Sequence, residues 1–412
     1  MSIVTRTSLD KRRIKILLLE GVHESAIEVF KAADYSSIET LPSAISEDEL
    51  ASKIQNVHIL GVRSRTQVNQ NVLAHAQKLI AVGCFCIGTN QIDLKSALIK
   101  GTAVFNAPFS NTRSVAELVI AEAILLMRGI PEKNALAHQG GWLKSAEGSY
   151  EIRGKTLGII GYGNIGAQVS VLAEAMGMNV VFHDAINKLP LGNARQASSL
   201  KELLTVSDIV TMHVPEDADT QNMMSHSQFS TMKSGSVFIN ASRGTVVDID
   251  ALANALREKK LCGAAIDVFP VEPKSKNDEF FSPLREFDNC LLTPHIGGST
   301  MEAQEKIGAE VAHKLVKFSD NGSSLSSVNF PEVTLPTHAG AHRLLHIHEN
   351  IPGVLSKINQ FFSEHKINIS AQHLQTNQNV GYVVTDVDEN YSQMALEYLS
   401  QIEGTIKCRI LF

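Results

Sequence analysis

The stretch Lys155–Gly166, KTLGIIGYGNIG, decides the fold of this chain. Its first half is a run of mostly apolar, β-favouring residues, and its second half has the glycine spacing GxGxxG before a helical stretch. A buried strand that turns through three glycines into a helix is typical of a dinucleotide-binding unit, since the helix N-terminus presents free N–H groups to a pyrophosphate. We assign Gly161 to the tight turn, Gly163 to the approach of the pyrophosphate and Gly166 to close packing of the helix.

The next strand predicts which dinucleotide binds. Asn179–His183 is a second apolar run, and it ends on Asp184. An acid at this position accepts hydrogen bonds from ribose hydroxyls and repels a 2′-phosphate, so the pattern favours NAD over NADP. Asn164 and Ile165, at the start of the helix, are expected to contact the cofactor. The alternative is a glycine turn between strand and helix that binds no ligand.

Composition limits the class of protein. With 412 residues the chain is too long for one core and predicts two or three domains. A net charge of −6 gives no electrostatic reason to expect a nucleic acid partner. The five cysteines are scattered, which is typical of reduced intracellular thiols. Neither a secretory signal nor a long apolar segment occurs, so we expect a cytoplasmic protein with no membrane contact.

Strands and helices alternate both before and after the glycine stretch, which predicts two parallel-sheet α/β domains. The first block runs to Pro108, and a strongly helical segment at Ser299–Phe318 could return the chain to it. A Ser/Asn/Gly-rich stretch at Ser319–Ser327 is interpreted as a linker. Beyond it, residues 341–412 show the order βαββαβ of a ferredoxin-like unit.

Three polar residues follow predicted strands of the glycine block, where ligands bind in open α/β sheets. His295 lies in a glycine-rich loop and could exchange a proton near neutral pH. Glu272, between two prolines, could orient that imidazole. Arg243 could hold a carboxylate with two parallel hydrogen bonds. Each residue taken alone has an ordinary alternative as a solvated surface or capping side chain.

Together the motifs point to one family. GYGNIG, ASRGTVVD with Arg243, DVFPVEP with Glu272, and TPHIGGST with His295 follow one another in this order. This series resembles the D-isomer-specific 2-hydroxyacid dehydrogenases over residues 10–320. The resemblance implies a Rossmann-type NAD domain (109–298) inserted in a flavodoxin-like substrate domain (1–108 and 299–327), both of them doubly wound parallel-sheet α/β domains. A linker (328–340) would then lead to the C-terminal ferredoxin-like domain (341–412).

The resemblance also implies roles for matching positions. The predicted catalytic residues are Arg243, which would bind the substrate carboxylate, His295, which would exchange the 2-hydroxyl proton, and Glu272, its partner. Hydride would pass between substrate C2 and the nicotinamide, and Asp267 would contact the nicotinamide amide. The predicted cofactor contacts are Gly161, Gly163, Asn164, Ile165, Gly166, Asp184, Ala241, Ser242, Arg243, Asp267, His295, Gly297 and Gly298.

Two arginines favour a phosphorylated hydroxy acid. Arg63 and Arg65 follow the predicted strand Ile59–Val62, and if that strand end faces the cleft, such a pair suits a phosphate better than an apolar side chain. The alternative is a pair of solvated loop arginines. Asn111, Lys144 and Arg243 complete the predicted substrate contacts. Two other readings stay open. The enzyme could act on another hydroxy acid, such as glycerate or 2-hydroxyglutarate, or the chain could be a non-catalytic NAD-sensing regulator.

The tail, 341–412, resembles an ACT domain, a fold that binds amino acids where its copies or sheets pair. The resemblance implies an effector site at His348, Asn350 and Asn368, with L-serine as the expected ligand and feedback inhibition as its effect. A pure dimerisation module is the alternative. His346 and His348 share one strand face, but no further ligand has fitting spacing, so we predict no metal. Pairing through both the NAD domain and the tail predicts a homotetramer.

Overall fold

The computed structural model of the protein describes residues 10–273, 278–336, 342–387 and 392–411. The predicted boundary at 340/341 lies outside these residues. The chain divides into two compact units: one is Asn111–Ala303, and the other joins Met1–Ser110 to Gln304–Phe412. Among the described residues, the unit that joins the two ends of the chain contains two sheets, and the unit Asn111–Ala303 contains one.

The N-terminal part of the chain forms a five-stranded parallel sheet in the order β2-β1-β3-β4-β5, which is the flavodoxin-like order. Its inner strands are buried on both faces because helices cover them, as in other parallel sheets. The strands are β1 (Ile16–Leu18), β2 (Ile38–Thr40), β3 (Ile59–Val62), β4 (Ala81–Cys84) and β5 (Ala103–Phe105). The helices are α1 (Glu24–Ala32), α2 (Glu47–Lys53), α3 (Gln70–His75) and α4 (Leu94–Ile99).

The unit Asn111–Ala303 is a seven-stranded parallel sheet, and its strand order reverses where β6 pairs with β9. This reversal is the point at which nucleotide ligands bind in such folds. The strands are β6 (Thr156–Ile160), β7 (Asn179–His183), β8 (Arg195–Gln196), β9 (Ile209–Met212), β10 (Ser236–Asn240), β11 (Leu261–Ile266) and β12 (Cys290–Leu292), in the order β12-β11-β10-β9-β6-β7-β8. The helices are α5 (Thr112–Met127), α6 (Ile130–His138), α7 (Asn164–Ala175), α8 (Leu200–Val206), α9 (His226–Thr231) and α10 (Ile249–Arg257).

After the long helix α11 (Met301–Asn321), the chain forms an antiparallel sheet in the order β14-β15-β13-β16. The apolar side chains of two helices cover one face of this sheet, with Phe361 and Phe362 at its centre. The elements are β13 (His342–Glu349), α12 (Val354–Glu364), β14 (Ile369–Thr376), β15 (Val380–Val387), α13 (Ser392–Gln401) and β16 (Thr405–Leu411). The predicted fold class, two parallel α/β domains and a βαββαβ tail, is confirmed.

The predicted linker over 319–327 is wrong at its start, because α11 continues to Asn321. Three of the serines that suggested a linker, Ser319, Ser323 and Ser324, are buried instead. Ser323 Oγ donates to Val333 O and Ser324 Oγ donates to Pro331 O, so backbone carbonyls satisfy these hydroxyls away from water. In the segment after Ser327, Phe330, Val333 and Leu335 are buried, so this segment also packs against the protein rather than extending into solvent.

Candidate active site

The glycine turn between β6 and α7 has the geometry that its sequence predicts. Gly161 has φ 90°, and a Cβ there would lie 2.5 Å from His213 O. A Cβ at Gly166 would lie 2.2 Å from Gly161 O, so only glycine allows the helix to approach the strand this closely. A Cβ at Gly163 would meet nothing within 4 Å, which leaves open space above the turn.

This open space fits NAD. The helix α7 begins at Asn164 and Ile165 with no side chain capping its first turn, so its N–H groups can receive phosphate oxygens. At the end of β7, the Asp184 carboxylate accepts hydrogen bonds from Tyr162 N at 2.8 Å and Ile186 N at 3.2 Å. It is only partly buried and keeps lone pairs for ribose hydroxyls.

A tight loop after β10 carries Arg243. Asn240 anchors the loop, since its Oδ1 accepts from Ser242 N at 3.0 Å and its Nδ2 donates to Arg243 O at 2.9 Å. Ala241 and Ser242 are buried, whereas Arg243 is half-buried and donates from Nη1 to Ser242 O at 2.7 Å. The guanidinium therefore keeps further N–H groups available for a carboxylate ligand.

His295 and Glu272 form a hydrogen-bonded pair. The His295 Nδ1–H donates to Glu272 Oε2 at 3.0 Å and Oε1 at 3.1 Å. Because a carboxylate only accepts, Nδ1 carries the proton and Nε2 is the nitrogen that can exchange one with a ligand. Glu272 is itself fixed, since its Oε1 accepts from Phe269 N at 3.2 Å. The backbone of His295 is in the left-handed region, with φ 54°, a strained conformation for a non-glycine residue.

The pair stabilises its own charges. The hydrogen bond to Glu272 raises the pKa of His295 against the opposing effect of burial, and the charges of Glu272 and Asp267 add to the rise. Burial would raise the pKa of Glu272, but the hydrogen bond and charge of His295 outweigh it and hold that pKa below its usual value. A histidine with this electrostatic support can store a proton and release it to a substrate oxygen.

The loop that carries His295 is organised by Asp267. This carboxylate is 2% exposed and accepts from Thr293 Oγ1 at 2.7 Å, Ile296 N at 2.8 Å and Gly297 N at 2.8 Å. Thr293–Gly297 therefore folds around one side chain. The next residue, Gly298, lies against Asn111, where a Cβ would be 2.2 Å from Nδ2. Asp267, Gly297, Gly298 and Asn111 thus belong to one local structure with His295.

Comparison with known proteins identifies relatives of this chain. Residues 120–297 match the family model of the D-isomer specific 2-hydroxyacid dehydrogenase NAD binding domain, and residues 344–407 match that of the AHAS small subunit-like ACT domain. The chain is 60% identical over 407 residues to a D-3-phosphoglycerate dehydrogenase of Haemophilus influenzae, a match that covers 99% of both chains. It is 58% identical over 411 residues to the Escherichia coli enzyme of that name, covering 99% of this chain and 100% of the relative.

A solved structure shows the same fold. D-lactate dehydrogenase from Aquifex aeolicus, complexed with NAD and lactic acid, superposes with a TM-score of 0.67 at 26% identity, over 77% of this chain and 100% of that one. The chain belongs to the D-isomer-specific 2-hydroxyacid dehydrogenase family. It is an NAD-dependent dehydrogenase with a C-terminal ACT domain, as predicted.

In this dehydrogenase the predicted phosphate-binding arginines lie beyond β3. Arg63 is half-buried and Arg65 is exposed, and neither guanidinium has a carboxylate partner within the described ranges. Lys144 lies in the exposed loop after α6, and the structure gives it no polar partner among the residues it describes. These three cations are therefore available to an anionic ligand.

The predicted effector residues of the ACT domain have different environments. His348 is 4% exposed; its Nδ1 donates to Glu349 O at 2.7 Å, and its buried Nε2 has no partner among the described residues. Asn350 Nδ2 donates to Asn377 O at 2.7 Å, and Asn368 is exposed just before β14. Within the described part of the chain, no three His, Cys, Asp or Glu side chains are placed to hold a metal.

Sequence reasoning missed Glu20, which lies beside β1 and is 9% exposed. Its carboxylate accepts from Arg63 N at 3.2 Å, Arg65 N at 3.0 Å and Thr66 N at 2.8 Å. The loop with both arginines is therefore built around this one side chain. No sequence signal predicts it, because an acid after a strand is usually solvated.

A second missed residue, Glu122, lies inside α5 and is 3% exposed. Both of its carboxyl oxygens are buried and lack a hydrogen-bond partner among the described residues. Burial, assisted by the charge of Asp267, raises the pKa of Glu122 to about 8. The one available signal was a charged residue on the apolar face of the helical pattern.

Across the described residues, no helix combines the length and the apolarity that crossing a membrane requires.

Proposed function

We propose that this protein oxidises 3-phospho-D-glycerate to 3-phosphohydroxypyruvate with NAD, the first step of L-serine biosynthesis. The observation that carries the proposal is the hydrogen-bonded His295–Glu272 pair, found in a chain 60% identical over its length to a D-3-phosphoglycerate dehydrogenase. In the reverse direction the same residues would reduce the keto acid.

The chain's own residues divide the work of the reaction. Arg243 grips the substrate carboxylate and holds C2 in place. His295 takes the 2-hydroxyl proton on Nε2 during oxidation, and Glu272 stabilises the imidazolium that results. Bound NAD supplies the hydride acceptor. Asp267 keeps the loop of His295 in position through three hydrogen bonds.

The substrate phosphate is the proposed ligand of Arg63 and Arg65. Support comes from the loop itself, because Glu20 fixes the backbone at both arginines while their side chains lack carboxylate partners in the described structure. Planar guanidinium groups match phosphate oxygens. Asn111 and Lys144 are proposed as further substrate contacts, and Lys144 has the weaker support because its loop is exposed throughout.

L-Serine is the proposed feedback inhibitor, bound by His348, Asn350 and Asn368. The unpartnered Nε2 of His348 is an acceptor that a ligand hydroxyl or ammonium group could satisfy. Serine inhibits if it binds more tightly to the less active state of the enzyme.

A homotetramer is the proposed assembly. Trp142, 87% exposed, and Leu143, 56% exposed, form an apolar tip that a second copy could cover. The cytoplasm is the proposed location, supported by five free cysteines.

The test is the initial rate of NADH oxidation with phosphohydroxypyruvate, with and without L-serine, for the wild type, His348→Ala and the matched control His365→Ala. We expect turnover in all three proteins and serine inhibition in the wild type and control only. Turnover with 2-oxoglutarate or hydroxypyruvate but not with phosphohydroxypyruvate would refute the substrate. Absence of all turnover would favour a non-catalytic NAD sensor, and equal serine inhibition of His348→Ala would refute the effector site.

A further inference from the structure

A small cavity lies where the antiparallel sheet packs against the first parallel sheet, inside one compact unit. Apolar side chains that include Phe318 and Leu345 form much of its lining. The polar lining comes from Tyr382, Lys407 and Arg409. Its volume is about 10 Å³, at the lower limit of the space that holds one water molecule, so a monatomic ion is the largest anion that small movements of the lining side chains would admit.

The two cations are neighbours on one face of β16, because side chains two positions apart in a strand point the same way. Lys407 Nζ donates to Leu79 O at 2.7 Å, and Arg409 Nη2 donates to Ser319 O at 3.1 Å. Both side chains therefore reach into the junction between the sheets. Two like charges in a buried space repel each other and lose hydration, which is costly unless an opposite charge accompanies them.

The lining of the cavity supplies no such charge. None of the residues that line the cavity is acidic. Asp320, the acid whose charge acts on Arg409, is already held by Lys11 Nζ at 2.7 Å and Tyr35 OH at 2.6 Å. A further cation, Lys100, acts on Lys407, so the balance around the cavity is positive.

One donor at the cavity has no acceptor. Part of Arg409 is exposed along β16, but its Nη1 is buried and has no hydrogen-bond partner in the described structure. The nearby Tyr382 hydroxyl donates to Gly322 O at 2.6 Å, and its oxygen accepts no hydrogen bond from Arg409 Nη1 in the described structure. Buried donors in native proteins are nearly always paired, which indicates a ligand of the guanidinium.

We propose that this cavity is an anion site that binds one chloride-sized inorganic anion between Arg409 Nη1 and the Lys407 ammonium. The anion neutralises the repulsion between the two cations and satisfies the free donor. Phosphate and carboxylates are too large for the space. Lys407 and Arg409 belong to the antiparallel sheet, whereas their carbonyl partners Leu79 and Ser319 lie outside it. An anion bound by the two cations would therefore stabilise the packing of the antiparallel sheet against the first parallel sheet.

The alternative is a water molecule beside a neutral lysine. Burial, with the charges of Arg409 and Lys100, lowers the pKa of Lys407 to about 8, so loss of its proton would also relieve the repulsion. Diffraction distinguishes the two, because bromide replaces chloride and scatters anomalously. Crystals of the full-length protein grown in sodium bromide should show an anomalous peak within hydrogen-bonding distance of Arg409 Nη1. A site filled by water, with no peak, would overturn the proposal.

A solution measurement covers the same point. The melting temperature of the wild type should rise with the logarithm of chloride concentration, relative to sodium gluconate at equal ionic strength, since a ligand of the native state stabilises it by mass action. Arg409→Gln should lose this chloride-specific rise, while the exposed control Lys201→Gln should keep it. The same chloride dependence in wild type and Arg409→Gln would contradict an anion at this site.

Discussion

His295 donates its Nδ1 proton to Glu272 at 3.0 Å, from a loop whose backbone at His295 has φ 54°. Two loops whose residues are 23 positions apart in the sequence thus meet at this pair, and each residue changes the pKa of the other. The strain at His295 is maintained by Asp267, which binds the same loop through two backbone N–H groups and a threonine hydroxyl.

Glu272→Gln should move the pH profile of the enzyme. In the proposed mechanism, reduction of the keto acid needs protonated His295, so its rate should fall as pH rises through the pKa of His295. Glu272 raises that pKa, and without its charge the fall should begin at lower pH. The measurement is kcat/KM against pH with NADH. His295→Gln, the comparison, should lose roughly 10²- to 10⁴-fold in rate at every pH; an unshifted profile in Glu272→Gln would refute the coupling.

Arg243→Lys should separate charge from geometry. Lysine keeps the positive charge but cannot form two parallel hydrogen bonds to a carboxylate. Loss of one such charged hydrogen bond predicts a fall in kcat/KM for the keto acid of roughly 10- to 150-fold. The exposed control Arg285→Lys should retain wild-type kinetics. If Arg243→Lys kept wild-type kcat/KM, the proposal that Arg243 forms two parallel hydrogen bonds to the substrate carboxylate would be wrong.

Two glycines of the same turn should respond differently to alanine. A Cβ at Gly163 enters open space, so Gly163→Ala should fold normally and lose NADH affinity by about 10-fold or more. A Cβ at Gly166 would lie 2.2 Å from Gly161 O, so Gly166→Ala should lower the melting temperature, by roughly 2–4 °C for each kcal/mol of strain. Calorimetry and NADH titration measure the two effects. Normal NADH binding by Gly163→Ala would contradict its assigned role.

Glu20→Gln should weaken binding of the phosphorylated substrate without affecting NADH. The amide would turn an N–H₂ group toward at least one of the three N–H groups that the carboxylate now accepts, which should loosen the loop of Arg63 and Arg65. We expect the KM for phosphohydroxypyruvate to rise about 10-fold. The control is Glu24→Gln, on the exposed start of α1. An unchanged KM would show that the loop holds its shape without Glu20.

Glu122→Gln should remove a pH dependence of stability. In the native state burial raises the pKa of Glu122 from 4.5 to about 8, so the native protein keeps a proton that the unfolded chain releases. Stability therefore falls as pH rises between these values and is level above pH 8. The limiting slope is about 1.4 kcal/mol per pH unit, or roughly 4 kcal/mol from pH 5 to 8.

Chemical denaturation at pH 5 and pH 8 measures this difference for Glu122→Gln and for a surface control, Glu258→Gln. The free energy of unfolding of Glu122→Gln should depend less on pH than that of the wild type, while the control should follow the wild type. Identical pH dependence in all three proteins would mean that Glu122 is ionised in the native state.

Much of the fold could be predicted because the relevant signals are local in sequence. The alternation of strands and helices predicted the two parallel sheets, and the glycine spacing predicted the turn between β6 and α7. The order of elements after residue 341 predicted the βαββαβ tail. The loops of Arg243, Glu272 and His295 could be found because each follows a strand of one parallel sheet, and such strand ends share an edge. The serines of 319–327 led to the wrong prediction of a linker, since composition does not show whether a polar segment is packed.

The sequence by itself determined the dinucleotide turn, the family and the residues that could carry chemistry. Tertiary structure alone decided which nitrogen of His295 is available to exchange a proton, that Asp267 holds the loop of that histidine, and that Glu20 organises the arginine loop. It also brought Lys407 and Arg409 against Leu79 and Ser319 at one cavity. These features join residues that are distant in the chain, and periodicity along a sequence describes which face a side chain occupies but not which partner it meets there.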